Sequence, residues 1–257
     1  WATDRAQVLA PSTLRKLVST LQSIYSAAVL DRLVGSSPVV QLTLPAAHRE
    51  RIVPLTVDQV RALAESMAPK YRAMVYVQAG LGLRVGELLG LQVQNCDFLG
   101  RSVRIDHQAD RDTGEMVPPK TRQSRRTIPM PKVVANELAA HLAAFPASPT
   151  GLLFHTATDR PYHQAFYGSQ VFAPAVEKAK LPAGSTSHDL RHHYASVLLA
   201  AGESVVAVAE RLGHENATLV LRVYGHLVPG SEERTRKAID TAWDPPSADS
   251  VRTGRSS

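Results

Sequence analysis

Cysteine is almost missing from this chain: Cys96 is the only one in 257 residues. That excludes an intrachain disulfide framework and a cysteine-based zinc cluster, and it fits a reducing, intracellular setting. Long apolar runs are missing too. No stretch reaches the roughly eighteen apolar residues of a membrane span. Asp4, Arg5, Arg15 and Lys16 interrupt the region where a secretory signal would lie. No internal repeat is visible. Lysine is scarce beside arginine, 7 against 22, and 29 basic residues face 23 acidic ones, a formal net charge of +6 with pI near 9.6. An arginine fork grips phosphate in a bidentate way that lysine cannot. The excess is a mild pointer to nucleic acid, which GC-rich coding would mimic. A composition of 44% hydrophobic and 20% charged residues excludes wholesale disorder. The length suits one large domain or two smaller ones. The first residue is Trp1 and not Met, as expected of a piece of a longer protein.

The pattern predicts a mainly α protein with a small antiparallel β-sheet, an α+β fold. Residues 12–34 read as one helix, with Ser12 as cap, an apolar stripe through Leu14, Val18, Leu21 and Tyr25, and Gly35 as its end. About fifty residues with one clear helix are too few for an independent core, so residues 1–47 read as the end of a helical domain. A polar linker at 48–54 follows, then a second domain over 55–244 and a disordered tail at 245–257. In the second domain Thr56 to Gln59 fits a capping box. Helices are expected at 71–79, 84–89, 133–145, 164–179, 188–201 and 205–212, and from Asn216 and Ser231 onward. Strands are expected at 102–106, 116–120 and 126–130.

Four stretches concentrate polar chemistry. Arg84 follows Gly80 and Gly82 at a helix start, where backbone N–H groups and a guanidinium meet an anion, and Glu87 sits on the same face to orient it. Taken alone this is an ordinary surface ion pair. Lys120, Arg122, Arg125 and Arg126 form a basic turn between two strands, either a reach toward a DNA backbone or a solvated hairpin tip. His188 and Arg191 share a helix face, a titratable base beside a fixed cation. His188 and His192 also have metal-ligand spacing, but Asp189 stands where the zincin pattern needs Glu, and no metal site is expected. Finally, Leu212-Gly213-His214 precedes Tyr224. Alone, Tyr224 reads as a half-buried aromatic, and the stretch from Gly202 to Gly213 as a helix-turn-helix.

Taken in order, Gly82-Leu83-Arg84-Val85-Gly86-Glu87-Leu88, His188-Asp189-Leu190-Arg191-His192, Leu212-Gly213-His214 and Tyr224 resemble the tyrosine recombinases, the phage integrase family. The likeness runs over residues 55–228. Residues 12–45 resemble the end of that family's core-binding domain. Departures are His193, where Ser or Thr is usual, and Leu219 and Val220, near which the family tends to carry Thr. The resemblance implies a site-specific DNA recombinase or integrase, working through a 3′-phosphotyrosine intermediate without ATP, metal or other cofactor. Tyr224 would be the nucleophile and His188 its base. Arg84, Arg191 and His214 would bind the phosphate oxygens, and Lys120 would protonate the leaving oxygen. Arg51, Arg122, Arg125 and Arg126 would grip the DNA backbone. The implied partners are double-stranded DNA at attachment sites, three further copies of the chain, and an accessory DNA-bending protein. The implied location is the cytoplasm of a bacterial host, at the nucleoid, with integration of a viral genome as one role. Residues 231–243, anchored by Ile239 and Trp243, would dock on a neighbouring subunit or fold back on their own domain. Two alternatives stay open: type IB topoisomerase-like relaxation, and a non-catalytic helix-turn-helix regulator.

Overall fold

The computed structural model describes residues 1–40, 42–45, 52–119, 121–214, 216–225 and 232–243. The chain divides into two compact units, 1–51 and 52–257. The first holds α1 (Ala2–Ala6) and α2 (Pro11–Leu30), with Leu14 and Val18 buried. The sequence pattern does not anticipate α1. Helix α2 starts before Ser12, because Pro11 occupies its first turn and needs no N–H there.

The second unit runs α3 (Val57–Ser66), α4 (Pro69–Leu81), α5 (Val85–Leu89), β1 (Cys96–Asp97), β2 (Ser102–Ile105), β3 (Gln108–Ala109), β4 (Met116–Val117), β5 (Arg126–Pro129) and α6 (Lys132–Ala144). It continues with α7 (Gln164–Phe166), which passes through a wider π turn (Tyr167–Phe172) into α8 (Ala173–Lys178). Then come α9 (Ser187–Ala200), α10 (Val205–Leu212), α11 (Ala217–Tyr224) and α12 (Glu232–Trp243). Helix α4 is the hub, packed by α3, α6 and α9. It is apolar nearly all round, and Met74, Val75, Val77 and Leu81 are each fully buried. The fold is thus mainly α with small antiparallel sheets. Among the described residues no helix is long and apolar enough to cross a membrane.

Sequence-encoded caps set the helix starts. The Thr56 hydroxyl accepts from the Gln59 amide while the Gln59 side chain accepts from Thr56 N–H. Ser204 and Asn216 cap α10 and α11 in the same sense. The expected single sheet is in fact two. Strand order β1-β2-β5 makes one, and β3 pairs with β4 alone. The strands flanking the basic turn therefore do not form a hairpin. Strand β5 pairs instead with β2, where Val103 and Ile128 sit in register and are both fully buried. That burial outweighs the short connection that β4 offered.

Candidate active site

Helix α4 ends at Gly82, which adopts the left-handed conformation at φ 64. A Cβ there would also collide with the Tyr194 ring. The turn delivers Arg84 to the start of α5, and Glu87 lies one turn on. Glu87 is 1% exposed. Its Oε2 accepts from the Arg84 backbone N–H at 2.8 Å, and its Oε1 from the Arg84 guanidinium at 2.9 Å. The same carboxylate takes two parallel bonds from Arg126, both at 2.9 Å. Arg126 was expected on the DNA backbone. The structure turns it inward, its side chain 6% exposed against Glu87. The strand period explains this: Arg126 lies two residues from buried Ile128 and so shares its inward face. That alternation was present in the sequence and is the signal that could have found it.

Arg191 arrives from α9, a helix opened by a capping box in which Asp189 accepts from Thr186 N–H at 2.7 Å. It is 1% exposed. The end of α10 then organises all three arginines. Arg211 O accepts from Arg126 Nε at 2.6 Å, Leu212 O from Arg191 Nη2 at 2.6 Å, and Gly213 O from Arg84 Nη2 at 3.0 Å. The last carbonyls of a helix have no partner within the helix and carry its negative end, so each accepts one cation here. Gly82 O accepts a further bond from Arg191 Nη1 at 2.7 Å. Three arginines and one glutamate leave the cluster at 3 − 1 = +2.

This excess charge marks its neighbours. Burial, then Arg191 and Arg84, pushes the His214 imidazole down to about 4. Burial, then His192 and Arg191, does the same to His188. Burial lowers the Arg191 guanidinium to about 9, still protonated at neutral pH. His214 Nε2 lies 2.9 Å from Arg191 Nη2, which donates to it. The neutral ring thus carries its proton on Nδ1, which has no partner among the described residues. Arg84 and His214 open onto a cavity of about 680 Å³, also lined by Gln108, Thr121, Asn216 and Arg222. Neither Gln108 nor Arg222 was picked out as a site residue from sequence.

Tyr224 closes α11 and is 2% exposed. Its Oη lies 2.6 Å from Nδ1 of His192. His188 stands edge-on to the His192 ring, centroids 4.6 Å apart. Among the described residues no hydrogen bond joins His188 to Tyr224. Burial raises the Tyr224 phenol to about 12. The departure at His193 also has a physical role: its Nδ1 donates to Leu55 O at 2.7 Å, fastening the start of this unit to α9.

The structure thus brings together Arg84, Glu87, Arg191 and His214, and it joins Tyr224 to α9 through His192. Arg125 is exposed, and Arg122 falls in a short turn, Arg122–Ser124. Lys120, Arg51, Ser231 and the tail at 245–257 lie outside the described residues.

Residues 54–230 match the model of the phage integrase family. The chain belongs to that family. Among integrase-family relatives, the prophage phiRv2 integrase of Mycobacterium tuberculosis is 30% identical over 223 residues, covering 83% of this chain and 58% of the relative. The chain thus spans well under two thirds of that integrase. The XerD tyrosine recombinase of Staphylococcus aureus is 25% identical, covering 88% of this chain and 74% of the relative. Of solved structures, the Tn1549 transposon integrase in complex with circular intermediate DNA is 25% identical with a TM-score of 0.77, covering 94% of this chain and 84% of that one. XerH bound to its palindromic difH substrate shares the fold at 18% identity and a TM-score of 0.68, covering 93% of this chain and 69% of that one. These comparisons favour neither the topoisomerase-like nor the helix-turn-helix alternative.

Proposed function

We propose that the chain is the catalytic part of a site-specific DNA recombinase that breaks and rejoins strands through a 3′-phosphotyrosine link. The observation that carries this reading is the convergence of Arg84, Arg191 and Arg126 on the carbonyls of Arg211 and Leu212 in α10 and of its cap Gly213, beside His214 and an open cavity. Such a site is fitted to an oxyanion. Tyr224 oxygen attacks the scissile phosphorus, and the 5′-oxygen departs with a proton from Lys120. A second 5′-hydroxyl reverses the step. One phosphate ester replaces another, so no external energy source is needed. The phosphorane gathers negative charge on its non-bridging oxygens, and Arg84 and Arg191 bind that charge more tightly than they bind the ground state.

The partner is double-stranded DNA, gripped by the basic residues of 55–244, and residues 1–47 form the end of a core-binding region. Exchange between two duplexes needs four strand cleavages, hence four protomers. An accessory DNA-bending protein and a place at the bacterial nucleoid suit such a substrate. The test is a library of nicked duplexes with randomised centres, incubated with the protein and run on a denaturing gel. A covalent adduct forms and its sequence is recovered, while Tyr224→Phe forms none. An adduct that persists in Tyr224→Phe, or none with the unaltered chain, overturns the reading. On the recovered duplex, Arg84→Ala or Arg191→Ala lowers the cleavage rate by several orders of magnitude, and a loss of only a few-fold removes their proposed role.

A further inference from the structure

We propose that His192, and not His188, receives the Tyr224 proton as the tyrosine oxygen attacks phosphate. The inference rests on the recombinase reading above and deepens it. The geometry is direct. Nδ1 of His192 is 2.6 Å from Tyr224 Oη, within range for proton transfer. The rings meet at 62° with centroids 5.5 Å apart, so the hydroxyl lies against the ring edge and not its face. No other hydrogen bond to the Tyr224 hydroxyl exists among the described residues. His188 makes no hydrogen bond among them. Its one ring contact is with His192.

The groups acting on His192 are His188, Asp189 and Arg191 from its own helix and Tyr224 from α11. Burial, outweighing Asp189, lowers the His192 imidazole, so the ring is neutral at physiological pH. With Nδ1 accepting from the phenol, the ring proton sits on Nε2. The phenol is itself raised to about 12 by burial, so the proton stays on the tyrosine while the site is empty. A phosphate beside Arg191 changes the balance. It offsets the positive charge that disfavours an imidazolium, and negative charge leaves the tyrosine oxygen as the O–P bond forms.

The step balances. The Tyr224 O–H bond breaks and its proton moves to His192 Nδ1. The Tyr224 O–P bond forms, the P–O5′ bond breaks, and the 5′-oxygen takes a proton from Lys120. On rejoining, the departing tyrosine oxygen recovers its proton from His192. His188 is then free to donate to a non-bridging oxygen.

The test uses the duplex recovered by covalent capture, with adduct formation measured in a single turnover. His192→Asn keeps an acceptor near the Nδ1 position but has no basicity. Its rate falls about a hundredfold or more, with duplex affinity changed by less than about threefold. Replacing Tyr224 with a fluorinated tyrosine, which ionises more readily, recovers at least about tenfold of that loss. His188→Asn shows no such recovery. A His192→Asn rate within about threefold of the unaltered chain, or recovery confined to His188→Asn, overturns the proposal. An independent check needs no variant: ¹⁵N NMR of the unbound chain shows His192 with Nδ1 unprotonated, and an Nδ1–H tautomer overturns the assignment. If the unaltered chain forms no adduct, the recombinase reading falls and this step with it. If it forms one through Tyr224 and His192→Asn is silent, only this step falls.

Discussion

Glu87→Gln tests the charge architecture of the site directly. The carboxylate accepts four bonds, two from Arg84 and two from Arg126, and is almost fully buried. A glutamine keeps one acceptor oxygen and turns an NH₂ toward an arginine donor, so two of the four bonds go. Charge-assisted bonds are worth about 1.5–3 kcal/mol each. The Arg84 partner is 37% exposed and screened, which favours the low end of the range. The expected loss is about 3 kcal/mol, in line with breaking one side of a buried ion pair. For a unit of this size that lowers Tm by about 6–12 °C, read by circular dichroism. The pH dependence changes too. Burial works to raise the Glu87 carboxyl, but Arg126 and then Arg84 outweigh it and hold it below the ordinary 4.5. Its contribution is therefore present above that ordinary value and lost as pH falls through the lowered one. The variant lacks this acid-limb decline. Sulfate should stabilise the variant more than the parent, since the cluster rises from +2 to +3 without its carboxylate. A Tm within about 2 °C of the parent, with the acid limb unchanged, refutes the counterion role.

Gly213→Ala places a Cβ at φ 65 and 3.0 Å from the Arg126 guanidinium. It should lower the unfolding free energy by about 1 kcal/mol or more, read as a lower urea midpoint, and an unchanged midpoint contradicts the strain. His193→Ala leaves the Leu55 carbonyl without its donor. It should cost about 1–3 kcal/mol and speed amide exchange at the start of α3, and unchanged exchange there argues against the tie. His188 and His214, each held down to about 4 first by burial, should stay neutral through pH 6 in an NMR titration, and midpoints near 6.5 refute this. Their lowered values make stability decline as pH falls from about 6.5 toward 4.

What the sequence discloses depends on distance along the chain. The Thr56, Ser204 and Asn216 caps are local and could be read directly. So could the apolar α4, because burial on all sides leaves no polar face. The Arg84–Glu87 pair is one helical turn apart and was visible. Arg126, which gives Glu87 its bidentate partner, is 39 residues further on; the alternation with Ile128 points it inward, but nothing local names the carboxylate it meets. Likewise the His192–Tyr224 contact spans 32 residues. His192 shared a metal-ligand spacing with His188 and was given no role, because its partner comes from another helix. The strands of two to four residues were too short for period alone to choose their pairing, so the split into two sheets was illegible.

The three carbonyls at the end of α10 have a consequence for how the arginines can be used. A carboxylate holds an arginine by neutralising it, as Glu87 does with Arg126. A carbonyl holds one by its dipole and leaves the whole unit of charge in place. Arg191 is fixed by Leu212 O and Gly82 O, with no acid touching its guanidinium among the described residues. Its location is therefore written in the main chain, where no single side-chain change erases it, and its charge remains unspent until an anion arrives.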